Sequence, residues 1–242
     1  MTDLTPQDRA KIAAGRHAAE TYCRDGMRLG LGSGTTSHFF VRALGEKVKQ
    51  GLDIVGVPTS TATRDLALDL GIPLVDLDDV TELDVCVDGP DEIDPDGSMI
   101  KGGGACLLWE KIVATASRKM VVVADNSKLV ARLGAFPLPV EVVRFGHEST
   151  TRAVRALLGD FGHAEVRTTP RMRDGARLVT DNGNYIIDVH LGRIDRAGEL
   201  TVELNRIPGV VENGLFVGIG DEVVFGYPDG RAEVRELPMA TA

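Results

Sequence analysis

Roughly the first half of the chain alternates short apolar runs with stretches of helical pattern. The runs lack the polar alternation of a strand with one face in water, which is typical of strands buried on both faces. Such strands alternating with helices predict a parallel sheet covered by helices. We therefore expect an α/β fold, with a mostly parallel Rossmann-like sheet flanked by helices. The predicted strands are residues 27–31, 53–57, 72–77, 85–87 and 120–124, and the predicted helices are 8–22, 36–44, 63–70 and 105–117.

The composition changes after residue 135, where the chain reads Phe-Pro-Leu-Pro. The pattern beyond it predicts a smaller α+β unit. The sequence Asp-Asn-Gly-Asn at 181–184 favours a hairpin between runs at 177–180 and 185–190, because Asn-Gly tolerates the positive φ of a type I′ turn. The other predicted elements of this unit are strands at 140–145 and 163–168 and helices at 150–158 and 198–207.

Two domains are expected from this pattern. Residues 1–130 plus 207–242 are expected to form a Rossmann-like catalytic domain, and residues 131–206 a small, inserted α+β domain of ferredoxin-like type. The last two predicted strands, at 214–217 and 222–225, are expected to return to the first sheet.

The charge balance argues against several classes of partner. The chain has 27 basic and 36 acidic residues, a net charge of −9 at pH 7, so its interaction with nucleic acid or an anionic membrane would be repulsive. The three cysteines show no Cys-x-x-Cys spacing, which argues against a disulfide framework or a cysteine zinc site and favours a cytoplasmic protein. No apolar run is long enough for a membrane span, and no signal peptide is recognised.

A glycine-rich segment, Gly30 to Thr36, directly follows the first predicted strand. Glycine lets backbone N–H groups approach a ligand, and the start of the next helix adds donors and partial positive charge. The hydroxyl groups of Ser33, Thr35 and Thr36, with Gly34 among them, suit a small phosphate group. A nucleotide and a purely structural turn are the alternatives, although the segment matches neither a dinucleotide-binding motif nor a Walker motif.

Two carboxylates, Asp88 and Asp91, follow the predicted strand at 85–87. Ligands of open α/β sheets bind at the carboxyl ends of strands, and the intervening Gly89-Pro90 turn allows both carboxylates to converge on one point. Such a pair suits acid/base chemistry. A solvated acidic turn, a helix cap and a divalent metal site are the alternatives, and the absence of a nearby histidine argues against the metal.

Three consecutive glycines, Gly102, Gly103 and Gly104, follow Lys101. Ordering three glycines costs conformational entropy, so the run favours backbone N–H groups that face a ligand closely, as in an anion-binding nest. A flexible loop is the alternative.

Two charged residues near these motifs are further candidates. Glu110 lies in the helix after the glycine run, and Lys128 follows the strand at 120–124 within the sequence Ala-Asp-Asn-Ser-Lys. Taken singly, a helical glutamate or a loop lysine is most often exposed to solvent.

The motifs in the chain, in order, are GSGTTSHF, DGPDEID, MIKGGGACLLWEK, ADNSK, FPLPVEV and VTDNGN with IIDVH. In this order and spacing, from about residue 30 to residue 229, they resemble the ribose-5-phosphate isomerase A family. Two positions depart from the family pattern. One is Pro90, where many members have alanine, and the other is Trp109, beside Glu110.

The resemblance implies interconversion of D-ribose 5-phosphate and D-ribulose 5-phosphate through an enediolate, without a metal or other cofactor. It also implies a homodimer or homotetramer. Glu110 would be the proton acceptor and Lys101 would stabilise the enediolate, while Asp88 is assigned to ring opening and Asp91 to orienting sugar hydroxyls or Lys101. The matching substrate-binding residues are Ser33, Gly34, Thr35, Thr36, Asp88, Gly89, Pro90, Asp91, Lys101, Gly102, Gly103, Gly104 and Lys128.

Two other functions have related α/β cores. A sugar-phosphate-binding regulator would bind without catalysis, but no helix-turn-helix segment is recognised before the first predicted strand. A coenzyme A transferase-like enzyme would use a glutamate nucleophile, but such enzymes are generally longer or have two chains. The joint presence of Asp88, Lys101 and Glu110 favours the isomerase.

Overall fold

The computed structural model describes residues 4–238, which form two compact units. Within that range, the first unit is residues 4–90, 109–129 and 218–238, and the second is residues 91–108 and 130–217. The division expected from the sequence differs, because it assigns 91–108 and 207–217 to the first unit. In the structure the short strands of these segments pair with one another or with the main sheet of the second unit.

The helices and strands alternate along the first part of the chain, as the sequence predicts. The helices are α1 (Pro6–Tyr22), α2 (Thr35–Lys49), α3 (Thr61–Asp69), α4 (Leu107–Thr115), α5 (His147–Asp160) and α6 (Ala197–Asn205). The strands are β1 (Met27–Leu31), β2 (Ile54–Pro58), β3 (Val85–Asp88), β4 (Glu92–Ile93), β5 (Met99–Ile100), β6 (Met120–Asp125), β7 (Leu138–Val142), β8 (Arg167–Pro170), β9 (Met172–Arg173), β10 (Ala176–Arg177), β11 (Tyr185–His190), β12 (Val210–Asn213), β13 (Leu215–Phe216), β14 (Glu222–Gly226) and β15 (Ala232–Glu236). Among residues 4–238, no helix is long and apolar enough to cross a membrane.

The first unit is built on a six-stranded sheet with the order β15-β14-β6-β3-β1-β2. All neighbouring strands are parallel except β15, which is antiparallel to β14. The predicted α/β fold with a mostly parallel sheet is therefore confirmed.

Helices cover both faces of this sheet. On one face, Leu29 of β1 belongs to the same hydrophobic cluster as Ala14 of α1 and Phe40 of α2. On the other face, a Cβ added at Gly30 would lie 2.7 Å from a methyl group of Val113 in α4. Because successive residues of a strand point to opposite faces, α4 lies on the face opposite α1 and α2.

The strand order creates a crevice at one edge of the sheet. Strand β1 lies between β2 and β3, so the chain leaves β1 on one side and returns on its other side. Open α/β sheets bind ligands outside the carboxyl ends of strands at such a reversal. The glycine-rich segment follows β1 and Asp88 ends β3, so both lie at this position.

The second unit contains a four-stranded antiparallel sheet in the order β12-β7-β11-β8. The order of its main elements is β7-α5-β8-β11-α6-β12, which is the β-α-β-β-α-β arrangement of ferredoxin-like domains. Val140 and Val142 of β7 pack with Val154 of α5 and Leu200 of α6 in the core of the unit. A three-stranded sheet, β13-β5-β4, and the hairpin β9–β10 complete it.

Two of the predicted strands are wrong, and the strand predicted at 163–168 begins only at Arg167. Residues 72–77 form only a single bridge, from Leu74 to Gly56, before a 3-10 turn. A longer strand is disfavoured because Pro73 has no backbone N–H to donate to a neighbouring strand. Asp76 also has a low propensity for strands. Residues 214–217 contain β13, which pairs with β5 and does not return to the first sheet. Here the chain passes so close to Lys101 that a Cβ on Gly214 would lie 2.3 Å from its carbonyl oxygen.

The hairpin predicted at 181–184 is also wrong, because β11 pairs with β7 and β8 and not with residues 177–180, and the type I′ turn lies elsewhere. Asp174 (φ 52°) and Gly175 (φ 79°) connect β9 and β10, and positive φ at both central residues is what a type I′ turn requires. At the predicted position, Gly183 has φ 80° whereas Asn182 has no positive φ. There the N–H of Gly183 donates to the carbonyl of Thr180 (2.8 Å). Both dipeptides tolerate the turn, so strand pairing decides which one adopts it.

The space around two helical glycines, Gly15 in α1 and Gly159 in α5, predicts opposite effects on stability when each is replaced by alanine. A Cβ on Gly15 in α1 would lie 2.6 Å from the backbone nitrogen of Phe40, so Gly15→Ala should lower the free energy of unfolding by about 1–3 kcal/mol through overpacking. Gly159 in α5 has no atom within 4 Å of an added Cβ, so Gly159→Ala should raise it by up to about 1 kcal/mol. Urea unfolding measures both, and equal midpoints would contradict this packing.

Candidate active site

The carboxylate of Asp88 fixes the glycine-rich segment to the end of β3. Asp88 is fully buried, and its Oδ1 accepts hydrogen bonds from the backbone N–H of Ser33 (3.0 Å), the backbone N–H of Gly89 (2.8 Å) and the hydroxyl of Ser37 (2.8 Å). A Cβ on Gly32 would lie 2.3 Å from the same oxygen. Glycine is therefore required at position 32 for the segment to approach Asp88.

The side chain of Ser33 belongs to a buried cluster of hydroxyl groups. Its Oγ lies 2.7 Å from Oγ1 of Thr59, 2.7 Å from Oγ of Ser60 and 3.1 Å from Oγ1 of Thr63. Ser60 is also the N-cap of α3 and accepts a hydrogen bond from the backbone N–H of Thr63 (3.1 Å). Ser33 therefore supports the glycine-rich segment from within, through its backbone and its hydroxyl.

The exposed part of the segment consists of Gly34 and Thr35. Gly34 is the N-cap of α2 with φ 92°, a conformation that glycine adopts at little cost. Among residues 4–238, no side chain caps the first N–H groups of this helix, whereas Thr36 in its first turn is buried. Free N–H groups at the start of a helix attract anions, so this part of the segment suits a phosphate.

His38 lies behind the glycine-rich segment and is half-buried. Burial lowers its pKa, the nearby Arg42 lowers it further, and Asp88 opposes both effects. Its Nε2 lies 3.4 Å from Oγ1 of Thr63. The lowered pKa favours the neutral imidazole beside Asp88.

Glu110 is buried in the first turn of α4. Residues three apart share one face of a helix, and Val113 on that face packs against β1 at Gly30, so Glu110 also lies on the side of α4 that faces the sheet. Because α4 connects β3 to its parallel neighbour β6, it runs opposite to the strands and begins at their carboxyl ends. The alternative of a solvent-exposed glutamate is therefore excluded.

Lys128 lies at the same edge of the sheet. It ends a 3-10 turn that follows β6, and it is half-buried. Asp125, the last residue of β6, caps this turn by accepting a hydrogen bond from the backbone N–H of Ser127 (3.2 Å). Since β6 is parallel to β3 and adjacent to it, Lys128 follows a strand end next to that of Asp88.

Asp91 and Lys101 are neighbours within the second unit. The pair Glu92–Ile100 ends the β4–β5 ladder. The N–H of Asp91, the residue before it, donates to the carbonyl of Ile100 (2.8 Å), so Asp91 lies beside the end of β5, which Lys101 follows. Lys101 is buried, and its ammonium nitrogen lies 5.4 Å from the centre of the Phe216 ring.

The glycine run is a constrained turn, which excludes the alternative of a flexible loop. Gly102 has φ 100°, and a Cβ there would lie 2.8 Å from the side chain of the following helix. The N–H of Gly103 donates to Oδ2 of Asp91 (2.7 Å), and a Cβ on Gly103 would lie 2.5 Å from Oδ1 of the same carboxylate. Ala105, with φ 69°, closes the turn by donating to the carbonyl of Gly102 (3.0 Å). Gly103 and Gly104 are exposed.

Each unit thus brings together part of the predicted set. The first unit places Ser33, Gly34, Thr35, Thr36, Asp88, Gly89, Pro90, Glu110 and Lys128 at one edge of its sheet, and the second contains Asp91, Lys101, Gly102, Gly103 and Gly104. Sequence reasoning missed the supporting hydroxyls of Ser37, Thr59, Ser60 and Thr63. The run Thr-Ser-Thr-Ala-Thr after β2 was the available signal, since β2 neighbours β1, but such residues are equally typical of helix caps. In residues 4–238, no group of three His, Cys, Asp or Glu side chains is arranged to hold a metal ion.

Comparisons with known proteins agree on one family. The family model of ribose 5-phosphate isomerase A (phosphoriboisomerase A) matches residues 55–230. A ribose-5-phosphate isomerase A of Ruegeria sp. (strain TM1040) is 51% identical over 240 residues, which are 99% of this chain and 91% of that protein. The ribose 5-phosphate isomerase of Plasmodium falciparum has a similar structure, with a TM-score of 0.90 at 32% identity, over 95% of this chain and 98% of that one. A D-ribose-5-phosphate isomerase in complex with phospho-erythronic acid gives a TM-score of 0.87 at 39% identity, over 95% and 99%.

The hydrogen bonds to Asp88 predict different effects for two substitutions of this residue. Asp88→Asn keeps an oxygen that can accept from Ser33, Ser37 and Gly89, so the free energy of unfolding should fall by less than about 1 kcal/mol. Asp88→Ala leaves these donors without their acceptor and should lower it by at least about 2 kcal/mol. Thermal and urea unfolding of both variants test this, and equal stability of the two would contradict the assigned role.

The glycine run supplies a second matched pair. Gly103→Ala places a methyl group against the Asp91 carboxylate and should destabilise the protein by about 1–3 kcal/mol. At Gly104 the nearest atom to an added Cβ is the sulfur of Cys106, 4.0 Å away, so Gly104→Ala should leave the free energy of unfolding within about 0.5 kcal/mol of wild type. A larger loss for Gly104→Ala than for Gly103→Ala, in the same urea titration, would refute this geometry.

Proposed function

This chain belongs to the ribose 5-phosphate isomerase A family, and we propose which of its residues perform each step of that family's reaction. The protein is an aldose–ketose isomerase that interconverts D-ribose 5-phosphate and D-ribulose 5-phosphate, in the non-oxidative pentose phosphate pathway. The observation that most supports the residue assignment is the buried Glu110, at the same edge of the first unit's sheet as Asp88 and Lys128.

The reaction moves a proton between neighbouring carbon atoms of the open-chain sugar. A base removes the proton from C2 of the aldose, the C–H electrons form a C1=C2 double bond, and the carbonyl electrons move onto O1. The base then returns the proton to C1, while the hydroxyl proton of O2 is transferred to O1, so that O2 becomes the ketone oxygen and O1 a hydroxyl. The enzyme must therefore supply a base, donors to the negatively charged oxygen and a group that exchanges hydroxyl protons.

We assign the base to Glu110. A carboxylate reaches C1 and C2 alternately without a large movement, because the two carbons are bonded to each other. Burial shields Glu110 from bulk water. A positioned general base of this kind typically contributes a factor of about 10² to 10⁴ in rate.

Asp88 is assigned to ring opening and hydroxyl proton exchange. Its Oδ1 already accepts three hydrogen bonds, so any proton that Asp88 exchanges with the sugar is exchanged at Oδ2. Asp91 accepts a hydrogen bond from the N–H of Gly103, which supports its assignment to orienting the polar groups around Lys101. The intervening Gly89-Pro90 turn is short, and proline restricts its conformations.

Lys101 and the glycine run are assigned to the negatively charged oxygen. A buried ammonium group interacts strongly with a developing charge because little water screens it. The N–H of Gly104, in an exposed part of the run, adds a neutral donor that needs no reorganisation. Loss of one such preorganised donor typically costs about 3–4 kcal/mol of transition-state stabilisation.

The phosphate group is unreactive and serves to position the sugar. We assign it to Gly34, Thr35 and Thr36 at the start of α2, together with Lys128. Binding energy from this remote group holds C1 and C2 near the base, so it lowers the barrier as well as the dissociation constant. This local arrangement allows a chain with a net charge of −9 to bind an anion.

The setting of the enzyme is also part of the proposal. Within residues 4–238, Cys23, Cys86 and Cys106 form no disulfide, which supports a reducing, cytoplasmic location. The resemblance to the family further supports a homodimer or homotetramer without a metal or other cofactor.

An assay with D-ribose 5-phosphate alone separates the isomerase from both alternative functions, because neither a sugar-phosphate-binding regulator nor a coenzyme A transferase forms a ketose product.

Replacing the proposed base should separate catalysis from binding. Glu110→Gln keeps the size of the side chain but removes its ability to accept a proton from carbon, so kcat for D-ribose 5-phosphate should fall at least about 10²-fold while KM changes by no more than about threefold. The measurement is the initial rate of ribulose 5-phosphate formation.

The matched control is Glu20→Gln, an exposed position on α1, which should leave both constants unchanged. Near wild-type turnover in Glu110→Gln would remove Glu110 from the reaction. A fall in kcat of the same size in Glu20→Gln would show that the effect is not specific to the site.

A further inference from the structure

Arg171 binds the back of the glycine run within the second unit. Its Nη1 donates to the carbonyl oxygen of Gly102 (2.5 Å) and to that of Gly103 (3.1 Å). Arg171 directly follows β8, and its backbone N–H donates to the carbonyl of Ile186 on β11 (2.9 Å). One guanidinium group thus holds two consecutive carbonyls from the edge of the main sheet.

Asp188 on β11 fixes the orientation of this guanidinium. Its Oδ2 accepts from Nε of Arg171 (2.9 Å), and its Oδ1 accepts from Nη2. Both side chains are largely buried, with exposed fractions of 12% and 16%. A two-point contact between arginine and carboxylate restricts the plane of the guanidinium. It also neutralises the charge, so Arg171 acts on the glycine run mainly through geometry.

The planarity of the peptide bond determines where the amides of the run point. In a trans peptide the C=O of one residue and the N–H of the next point in opposite directions, and all peptide bonds of the described residues are trans. With the carbonyls of Gly102 and Gly103 directed at Arg171, the N–H groups of Gly103 and Gly104 must point away from it.

The contacts of these two amides agree with that geometry. The N–H of Gly103 meets Oδ2 of Asp91 (2.7 Å). The N–H of Gly104 has no acceptor among residues 4–238, and Gly104 is exposed. A donor that is directed outwards and left available to a ligand is what an oxyanion-binding group requires.

We propose that Arg171, held by Asp188, is a positioning residue for the isomerase reaction, which aims the amide of Gly104 at the oxygen that becomes negatively charged. The inference rests on the proposed function, in which the glycine run faces that oxygen. Arg171 itself does not touch the substrate. Without it, the two peptide planes of a glycine-rich turn are free to rotate, since glycine restricts them least, and the donor is lost in most conformations.

The test compares Arg171→Met with wild type, because methionine has a similar length but no donor. We expect kcat for D-ribose 5-phosphate to fall at least tenfold and KM to change by less than threefold, since the donor acts on charge that develops during the reaction. The inhibition constant of phospho-erythronic acid, whose carboxylate is negatively charged, should rise at least fivefold. A residue that only supports the fold would change the melting temperature without this pattern.

Two further variants make the result decisive. Arg171→Met leaves the buried Asp188 without its partner, which can destabilise the fold, so the charge-neutral double variant R171M/D188L is measured alongside it and should show the same loss of kcat and inhibition. The control is Arg155→Ala, because Arg155 donates to Thr168 on β8 and makes no contact with the glycine run. Its kcat, KM and inhibition constant should stay within twofold of wild type.

Wild-type kcat and inhibition in the folded double variant would overturn the inference, whatever the melting temperature. So would a loss in Arg155→Ala equal to that in R171M/D188L. Failure of the proposed function is a separate result, because wild-type protein would then form no ribulose 5-phosphate at all.

Discussion

The geometry of the first unit depends on the buried carboxylate of Asp88. One of its oxygens collects two backbone N–H groups and the hydroxyl of Ser37, and thereby ties the segment after β1 to the end of β3. Such a contact requires Gly32, because any side chain there would overlap the carboxylate. The same contact leaves the start of α2 accessible to an anion. One interaction therefore both connects the segment after β1 to β3 and shapes the site.

The enzyme has a net negative charge, so its overall electrostatic field does not attract the doubly charged phosphate ester that it must bind. In the proposed function, the substrate is bound by short-range groups: amides at a helix start, a lysine beside a strand end, a buried lysine and an amide-rich turn. Each acts over a few ångströms, where hydrogen-bond geometry matters more than net charge. This explains why so much of the chain is devoted to orienting backbone, through the hydroxyl cluster around Ser33 in the first unit and Arg171 with Asp188 in the second.

Local sequence was sufficient to predict the parts of the structure that depend on local pattern. Strand β1 begins and ends at the predicted residues because Met27–Leu31, which is apolar apart from the exposed Arg28, lies between a turn and a glycine-rich segment. Glu110 could be singled out only through the family resemblance, since nothing in a helical glutamate by itself indicates that it is buried. The inward direction of the Ser33 hydroxyl, the pairing of β13 with β5 and the choice of Asp174-Gly175 as the type I′ turn all depend on contacts between residues far apart in sequence. The pairing of Arg171 with the glycine run spans 69 residues, and no motif indicates it.

The central claim is that one carboxylate, Glu110, moves the proton between C2 and C1. The most direct test is to incubate D-ribulose 5-phosphate with the enzyme in D₂O and to follow by NMR the exchange of a C1 hydrogen with solvent, which reports proton removal without requiring the full reaction. The account predicts exchange with wild-type protein and a loss in Glu110→Gln as large as the loss of turnover. Undiminished exchange in that variant would mean that another group removes the proton, and would contradict the mechanism.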